Sequence, residues 1–221
     1  MKNGIILIDK PQGMTSHDVV DAVRKKFSMR RVGHAGTLDP LATGVLIVLL
    51  GKSTKLFNKF MAFDKTYEAT LLLGRRTDTA DIEGKTLAQT PVEGITSAMI
   101  ENVFQQFSGD IQQVPPMYSA VKIKGRKLYQ LARSGIEVER EPRAIKIYSL
   151  KLLQLIIPEV KFFLQCSKGT YVRQLAEDVG EALGCGACIS QIQRTRVGPF
   201  ALPEAVALEG LDERYIRQWP V

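Results

Sequence analysis

The chain is 221 residues long, 45% apolar and carries a formal net charge of +7, which suits one large domain or a main domain with a small appendage and argues against disorder. No apolar run approaches the ~20 residues that span a bilayer, and Ile5 to Ile8 stops at Asp9, too short for the apolar core of a signal peptide, so a cytoplasmic chain with no membrane partner is expected. Three cysteines are an odd number and argue against a disulfide framework; Cys185 and Cys188 have zinc-compatible spacing, but Cys166 is the one further thiol and His17 and His34 the only imidazoles, so inert thiols are expected over a metal site.

The first strand is expected at Ile5 to Ile8, closed by the turn-forming run Asp9-Lys10-Pro11-Gln12-Gly13. Ser16 suits an N-cap for a helix running to Phe27, with Val19, Val20, Val23 and Phe27 on one face. Gly33 to Gly44 reads as a loop, and the apolar run Val45 to Leu50 as a buried strand. Ser53 to Phe63 predicts a helix with Leu56, Phe57, Phe60 and Met61 as its apolar face. Tyr67 to Leu73 alternates weakly and predicts a strand, followed by a polar loop over Gly74 to Gly84. Thr96 suits the cap of a helix from Ser97 to Phe107. Pro115-Pro116 breaks regular structure, with a short strand expected at Tyr118 to Ile123 and a helix at Arg126 to Ser134. Ile145 to Ile157 and Val160 to Cys166 predict two strands turning at Pro158-Glu159. Tyr171 to Leu183 predicts an amphipathic helix ended by Gly184, and Gln191 to Val197 a last strand. Strands come singly and in hairpins without a regular βαβ rhythm, which predicts an α+β fold with a mixed sheet.

The chemistry concentrates in Gly33-His34-Ala35-Gly36-Thr37-Leu38-Asp39-Pro40-Leu41-Ala42-Thr43-Gly44. Asp39 stands at the lip of a core strand, an unusual place for a merely solvated charge. Pro40 restricts its backbone, and the glycines allow uncommon dihedrals or close approach to a ligand. The loop holds no second carboxylate, so it does not suggest a two-carboxylate glycosidase. A lone positioned aspartate serves as a nucleophile or as a base, or it caps a turn. Basic residues cluster at Lys25, Lys26, Arg30 and Arg31, at Lys52, Lys55, Lys59 and Lys65, at Arg75 and Arg76, and at Lys122, Lys124, Arg126, Lys127 and Arg133. Such clusters suit a polyanion, since phosphate contacts release counterions; the simpler alternative is a solubilising surface.

Further motifs accompany the Asp39 loop. They are Lys10-Pro11-Gln12-Gly13-Met14-Thr15-Ser16, Lys65-Thr66-Tyr67, Gly74-Arg75-Arg76-Thr77-Asp78-Thr79, Pro115 to Lys122, and Gly169-Thr170-Tyr171-Val172-Arg173. In this order they resemble the bacterial TruB family of tRNA pseudouridine synthases, with the likeness running from about Gly4 to Phe200. The resemblance implies the pseudouridine synthase fold: α+β, a mixed, mainly antiparallel central sheet flanked by helices and loops. It implies isomerisation of uridine 55 in the T arm of tRNA by an isomerase that needs neither cofactor nor metal and acts as a monomer on its tRNA partner. The same core serves guide-RNA-directed synthases, and a tRNA-folding RNA-binding protein is the alternative from another class. A chain that begins almost directly at the first motif favours the stand-alone enzyme.

Residue by residue, the resemblance makes Asp39 the catalytic aspartate, which attacks the target nucleoside or assists departure of its base. It makes Tyr67 the tyrosine that stacks on the target base and takes part in proton removal from the sugar. Arg173 becomes the arginine that pairs with the aspartate, favouring and orienting the charged carboxylate, with Tyr171 beside it. His34 becomes the histidine that inserts into the RNA as the nucleotide is flipped out. Lys10 and Pro11 support the active-site loop, and Asp78 lies near the bound RNA. In Ile192-Gln193-Arg194-Thr195 the family usually shows Leu-Arg-Arg-Thr. Ile192 keeps apolar bulk near the target base, while Gln193 removes one positive charge. Residues 1–200 are expected to form the catalytic domain and 201–221 a short C-terminal extension, without the RNA-binding PUA domain that many members carry.

Overall fold

The computed structural model describes residues 2–123 and 125–219; Lys124, one of the basic residues noted above, lies outside them. In chain order the elements begin with β1 (Gly4–Lys10), α1 (Ser16–Phe27), β2 (Val32–Ala35), β3 (Thr43–Leu50) and α2 (Phe57–Met61). Next come β4 (Lys65–Leu73), β5 (Arg75–Thr77), β6 (Thr86–Gln89), α3 (Ser97–Gln106) and β7 (Gly109–Gln113). The chain continues with β8 (Lys122–Ile123), β9 (Arg126–Lys127), α4 (Leu128–Arg133), β10 (Arg143–Ile156) and β11 (Glu159–Cys166). It closes with α5 (Val172–Ala182), β12 (Ala187–Val197) and β13 (Phe200–Ala201). Helices and a mixed sheet make it α+β, as expected. Two compact units divide it: Met1–Glu68 with Gln191–Val221, and Ala69–Ser190. β4 and β12 each have residues in both.

The first unit is built on β3. Its residues Val45 to Leu50 are each at most 1% exposed, because both faces of a covered strand must be apolar. β1 pairs antiparallel with it from Gly4 opposite Leu50 to Lys10 opposite Gly44. On the other edge β2 pairs antiparallel, with His34 opposite Val48, and β12 pairs parallel, with Arg194 opposite Gly44. One face of these strands (Ile5, Leu7, Val45, Ile47, Leu49) packs with Phe60, Val197 and Phe200. There the rings of Phe60, Phe63, Phe200 and Trp219 meet at centroid distances of 5.4 to 6.3 Å. Each side chain fully buried there, such as Phe60, is worth about 1.5–3 kcal/mol relative to exposure.

Three expectations need correction in this unit. The cap of α1 is Thr15, whose hydroxyl accepts from the Asp18 N–H at 3.1 Å while the Asp18 carboxylate accepts from the Thr15 N–H at 2.7 Å. Ser16 is not the cap because its hydroxyl is engaged with Leu38. Ser53 to Phe63 do not form one helix: a 3-10 turn over Gly51–Leu56 precedes the short α2. Gly51, with φ +56°, turns the chain off β3, and Lys65 Nζ draws the carbonyls of Met61 (2.8 Å) and Phe63 (2.6 Å) out of helical continuation. Phe57 is 43% exposed and faces away from the core. Finally, His34 lies in a strand, β2, rather than in the loop.

The second unit has β4, β11, β10 and β7 side by side in that order. β10 and β11 form the expected hairpin, with register shifts between Ile147 and Ser149 and between Leu152 and Gln154. β7 pairs with the start of β10 and was hidden by its polar sequence. Thr96 caps α3 as expected, and Phe104 on that helix meets Phe162 on β11 at 5.9 Å. α5 buries Val172, Leu175, Ala176 and Val179. Gly180 lies so close to the following strand that a Cβ there would sit 2.1 Å from the Ala187 nitrogen. The polar stretch expected as a loop from Gly74 begins with β5, which pairs antiparallel with β6. The strand expected at Tyr118 to Ile123 is reduced to β8, paired with β9. Among the described residues no helix is long and apolar enough to cross a membrane.

Candidate active site

Asp39 lies half-buried in the irregular stretch between β2 and β3. Every backbone carbonyl from Gly36 to Pro40 accepts a hydrogen bond. Arg194, 1% exposed on β12, donates Nη2 to Gly36 O at 3.0 Å, Nη1 to Thr37 O at 3.5 Å and Nε to Val45 O at 2.8 Å. The Ser16 hydroxyl donates to Leu38 O at 3.0 Å and accepts from Leu38 N–H at 2.8 Å. Asp39 O accepts from Ala42 N–H at 3.0 Å, and Pro40 O from Gly13 N–H at 2.9 Å. Lys10, fully buried, reaches Pro40 O at 3.4 Å while donating to Pro11 O (2.8 Å) and Met14 O (2.6 Å). Lys10 therefore ties the turn after β1 to the loop at Pro40. A loop held at each peptide presents its carboxylate with little conformational freedom left to lose.

The end of this loop depends on a glycine. Gly44 has φ +98°, and a Cβ there would lie 2.2 Å from the Arg194 carbonyl oxygen. Backbone faces backbone, so nothing can swing aside. Gly44→Ala is expected to destabilise the chain by at least about 3 kcal/mol, through strain and clash together, read as a lowered denaturant midpoint. A midpoint equal to that of the parent chain would contradict this account of the β3–β12 contact.

His34 is half-buried on β2, with Nδ1 buried and lacking a hydrogen-bond partner among the described residues. Burial first, then the charges of Arg194 and His17, push its pKa down to about 4. The imidazole is therefore neutral near pH 7, suited to wedging among bases rather than pairing with phosphate. The unfolded chain, with histidine near 6.5, binds this proton more readily than the folded one. The stability contributed by His34 is full above pH 6.5 and is lost as pH falls from 6.5 towards 4. His34→Gln should flatten the fall in unfolding free energy across that window; identical slopes for the two proteins would contradict the assignment.

Tyr67 on β4 is 8% exposed, and Ile192 on β12 is half-buried. The two strands are tied within this unit by Thr195 Oγ1 donating to Thr66 O at 3.3 Å.

In the second unit, Arg173 is the second residue of α5 and 7% exposed. Its Nη1 donates to Thr79 O at 2.6 Å and its Nη2 to Tyr118 O at 2.8 Å. Tyr171, just before α5, has its N–H and C=O bound to the buried Gln113 amide at 2.8 and 3.1 Å, which fixes the start of the helix and so the root of Arg173. Asp78 is exposed, and its carboxylate accepts from Lys85 N–H at 2.8 Å, holding a turn. The buried carboxylate of this segment is Asp81, 6% exposed. Its Oδ2 lies 3.8 Å from Arg173 Nη1, and its Oδ1 accepts from the Thr79 hydroxyl (2.7 Å) and Glu83 N–H (3.1 Å). Asp39 belongs to the first unit and Arg173 to the second.

Sequence reasoning missed Arg194, Asp81, Gln113 and the role of Ser16. The available signals were the Ile192 to Thr195 motif and a charged residue within a strand pattern for Arg194, and apolar neighbours Ala80 and Ile82 for Asp81. Cys166, Cys185 and Cys188 are buried and not joined in disulfides, and burial pushes the Cys188 thiol up. Among the described residues no group of three His, Cys, Asp or Glu side chains is placed to hold a metal ion.

Residues 24–172 match the model of the TruB family pseudouridylate synthase N-terminal domain, and residues 173–218 that of the tRNA pseudouridylate synthase B C-terminal domain. Both matches place the chain among pseudouridylate synthases. Two curated relatives narrow this. The tRNA pseudouridine synthase B of Syntrophotalea carbinolica is 50% identical over 95% of this chain and 69% of its own length. That of Opitutus terrae is 47% identical over 95% of this chain and 87% of its own length. Among solved structures, a chain in the crystal structure of a Cbf5-Nop10-Gar1 complex superposes with a TM-score of 0.73 at 33% identity. That match covers 93% of this chain and 52% of the other. The chain belongs to the TruB family.

Proposed function

We propose that the chain isomerises uridine 55 in the T arm of tRNA to pseudouridine, as a monomer in the cytoplasm. Family membership supports a tRNA pseudouridine synthase, an isomerase. The observation that carries the site is the unbroken run of hydrogen-bonded carbonyls from Gly36 to Pro40 around Asp39. In the reaction the C1′–N1 bond breaks, uracil turns, and a C1′–C5 bond forms. C5 gives up a proton and N1 gains one, so atoms and electrons balance without a co-reactant.

Asp39 acts on the extruded nucleotide, as nucleophile or as the base that starts departure of uracil. Tyr67 supplies a face for the base, a stacking contact worth ~1–3 kcal/mol. Arg173 belongs to the catalytic set, with Tyr171, Ile192 and Asp78 at the RNA and Lys10 under the loop. His34 enters the RNA as a neutral ring. Residues 1–200 form the catalytic domain and 201–221 its extension.

The basic residues Arg126 and Arg133 are exposed, and Lys127 and Arg133 each lie 5.5 Å from the Tyr129 ring centroid. That mix of cations and an aromatic face suits RNA. The guide-RNA-directed reading is less favoured, since identity is 50% to a tRNA pseudouridine synthase B and 33% to the Cbf5 complex chain. Incubation of the purified chain with a T-arm stem-loop transcript tests the proposal. Conversion without partner protein or guide is expected; unchanged uridine at high enzyme concentration contradicts it.

A further inference from the structure

We infer that Arg194 is a positioning residue for the reaction: its buried guanidinium fixes the strand-to-loop path that aims Asp39. The inference rests on Asp39 being the reacting carboxylate. Arg194 is among the largest side chains that are fully enclosed, at 1% exposure. Burying a cation there is costly unless its donors are used. Three of its bonds fall on one object. Nη2 and Nη1 hold the carbonyls of Gly36 and Thr37, two residues in a row on the approach to Asp39, and Nε holds Val45 where β3 departs. The loop is thus gripped at its entrance and its exit by one rigid, planar group.

The geometry leaves little slack. Gly36 has φ +89°, and a Cβ there would sit 3.4 Å from Arg194 Nη1, so the loop backbone approaches the guanidinium face closely. Gly44 presses on the Arg194 main chain as described above. The side chain and the backbone of this one residue therefore set both ends of the segment that carries Asp39. Lysine cannot replace it. Its single nitrogen lacks the flat fork of donors that spans three carbonyls.

Arg194→Lys and Arg194→Gln are compared with the parent chain on a T-arm stem-loop RNA. Affinity for RNA, kcat and KM are measured, with hydrogen exchange of residues 36–42 followed by mass spectrometry. A group that only aims the carboxylate affects the reacting geometry more than binding. Both variants are expected to lose kcat by about 30-fold or more, as small misplacements of reacting groups do. KM and RNA affinity should stay within about threefold. Faster exchange should be confined to 36–42, while β1 and α5 keep their protection.

A folded Arg194→Lys chain with parental kcat, or with unchanged exchange in the loop, overturns the inference. If neither variant folds, the amides of Leu38 and Ala42 in the parent chain decide. Protection like that of β3 is expected, and exchange as fast as an exposed loop overturns it. Asp39→Ala run alongside separates the two ideas: turnover by that variant sinks the functional reading, whereas an inactive Asp39→Ala beside a fully active Arg194→Lys sinks only this one.

Discussion

Asp39→Ala is expected to abolish conversion of uridine while leaving a folded, RNA-binding chain. The backbone bonds around it explain the separation. Carbonyls 36 to 40 are engaged by Arg194, Ser16, Ala42, Gly13 and Lys10, none of which uses the Asp39 side chain. These backbone bonds therefore persist when the carboxylate is removed. Loss of a group that acts directly on the reacting atoms lowers turnover by about 10⁴-fold or more. Stability should move by less than about 1 kcal/mol, as for a half-buried side chain outside the core. Single-turnover assays with saturating enzyme would check the first figure, and denaturant unfolding the second. Retained turnover removes the assignment of Asp39. Lost turnover with a collapsed fold would mean that the loop depends on the carboxylate, contrary to the bonding described.

The second large effect concerns Arg173. Arg173→Met should destabilise the chain by about 3–5 kcal/mol, because a buried ion pair that loses one partner leaves the other uncompensated. The stranded partner is Asp81, and the carbonyls of Thr79 and Tyr118 lose their donors as well. At 3.8 Å the Arg173–Asp81 contact is an ion pair rather than a hydrogen bond, so part of the loss belongs to the two carbonyls. A double-mutant cycle separates them. Adding Asp81→Asn to Arg173→Met should recover about 1–3 kcal/mol, the usual size of coupling between contacting groups. Additive effects would show that the carboxylate does not depend on this arginine. Less than 1 kcal/mol lost on Arg173→Met would contradict the whole description of this cluster.

Much of the scaffold was legible in the chain because local rules and burial agreed. The run Val45 to Leu50 read as a buried strand, and Thr96 marked the start of α3 as its cap. The hairpin of β10 and β11 was marked by Pro158-Glu159 between two apolar stretches. What stayed hidden depended on distant partners. β2 contains a glycine and a histidine and has no strand pattern of its own; it exists because the β3 edge offers unpaired peptide groups. β7 is polar and forms on the start of β10. Ser16 looked like a cap because serine beside a helix usually is one, but its hydroxyl serves a peptide 22 residues away. Thr15 then fills the vacant role.

The site followed the same division. Asp39 stood out by its place between glycines and a core strand, and Lys10 by its motif. Arg194 did not, because nothing in a β-strand pattern tells which arginine turns inward. Asp78 drew attention over Asp81, yet tertiary packing buries the second and leaves the first in solvent.

Rearrangement of one uridine of the T arm, carried by Asp39, is the central expectation for this chain. The most direct measurement is site-resolved mapping of pseudouridine in a full tRNA transcript treated with the purified chain. Pseudouridine at position 55 and at no other uridine, absent when Asp39→Ala replaces the parent, is the predicted result. Uridine unchanged at position 55, or pseudouridine formed equally by the Asp39→Ala chain, would contradict it.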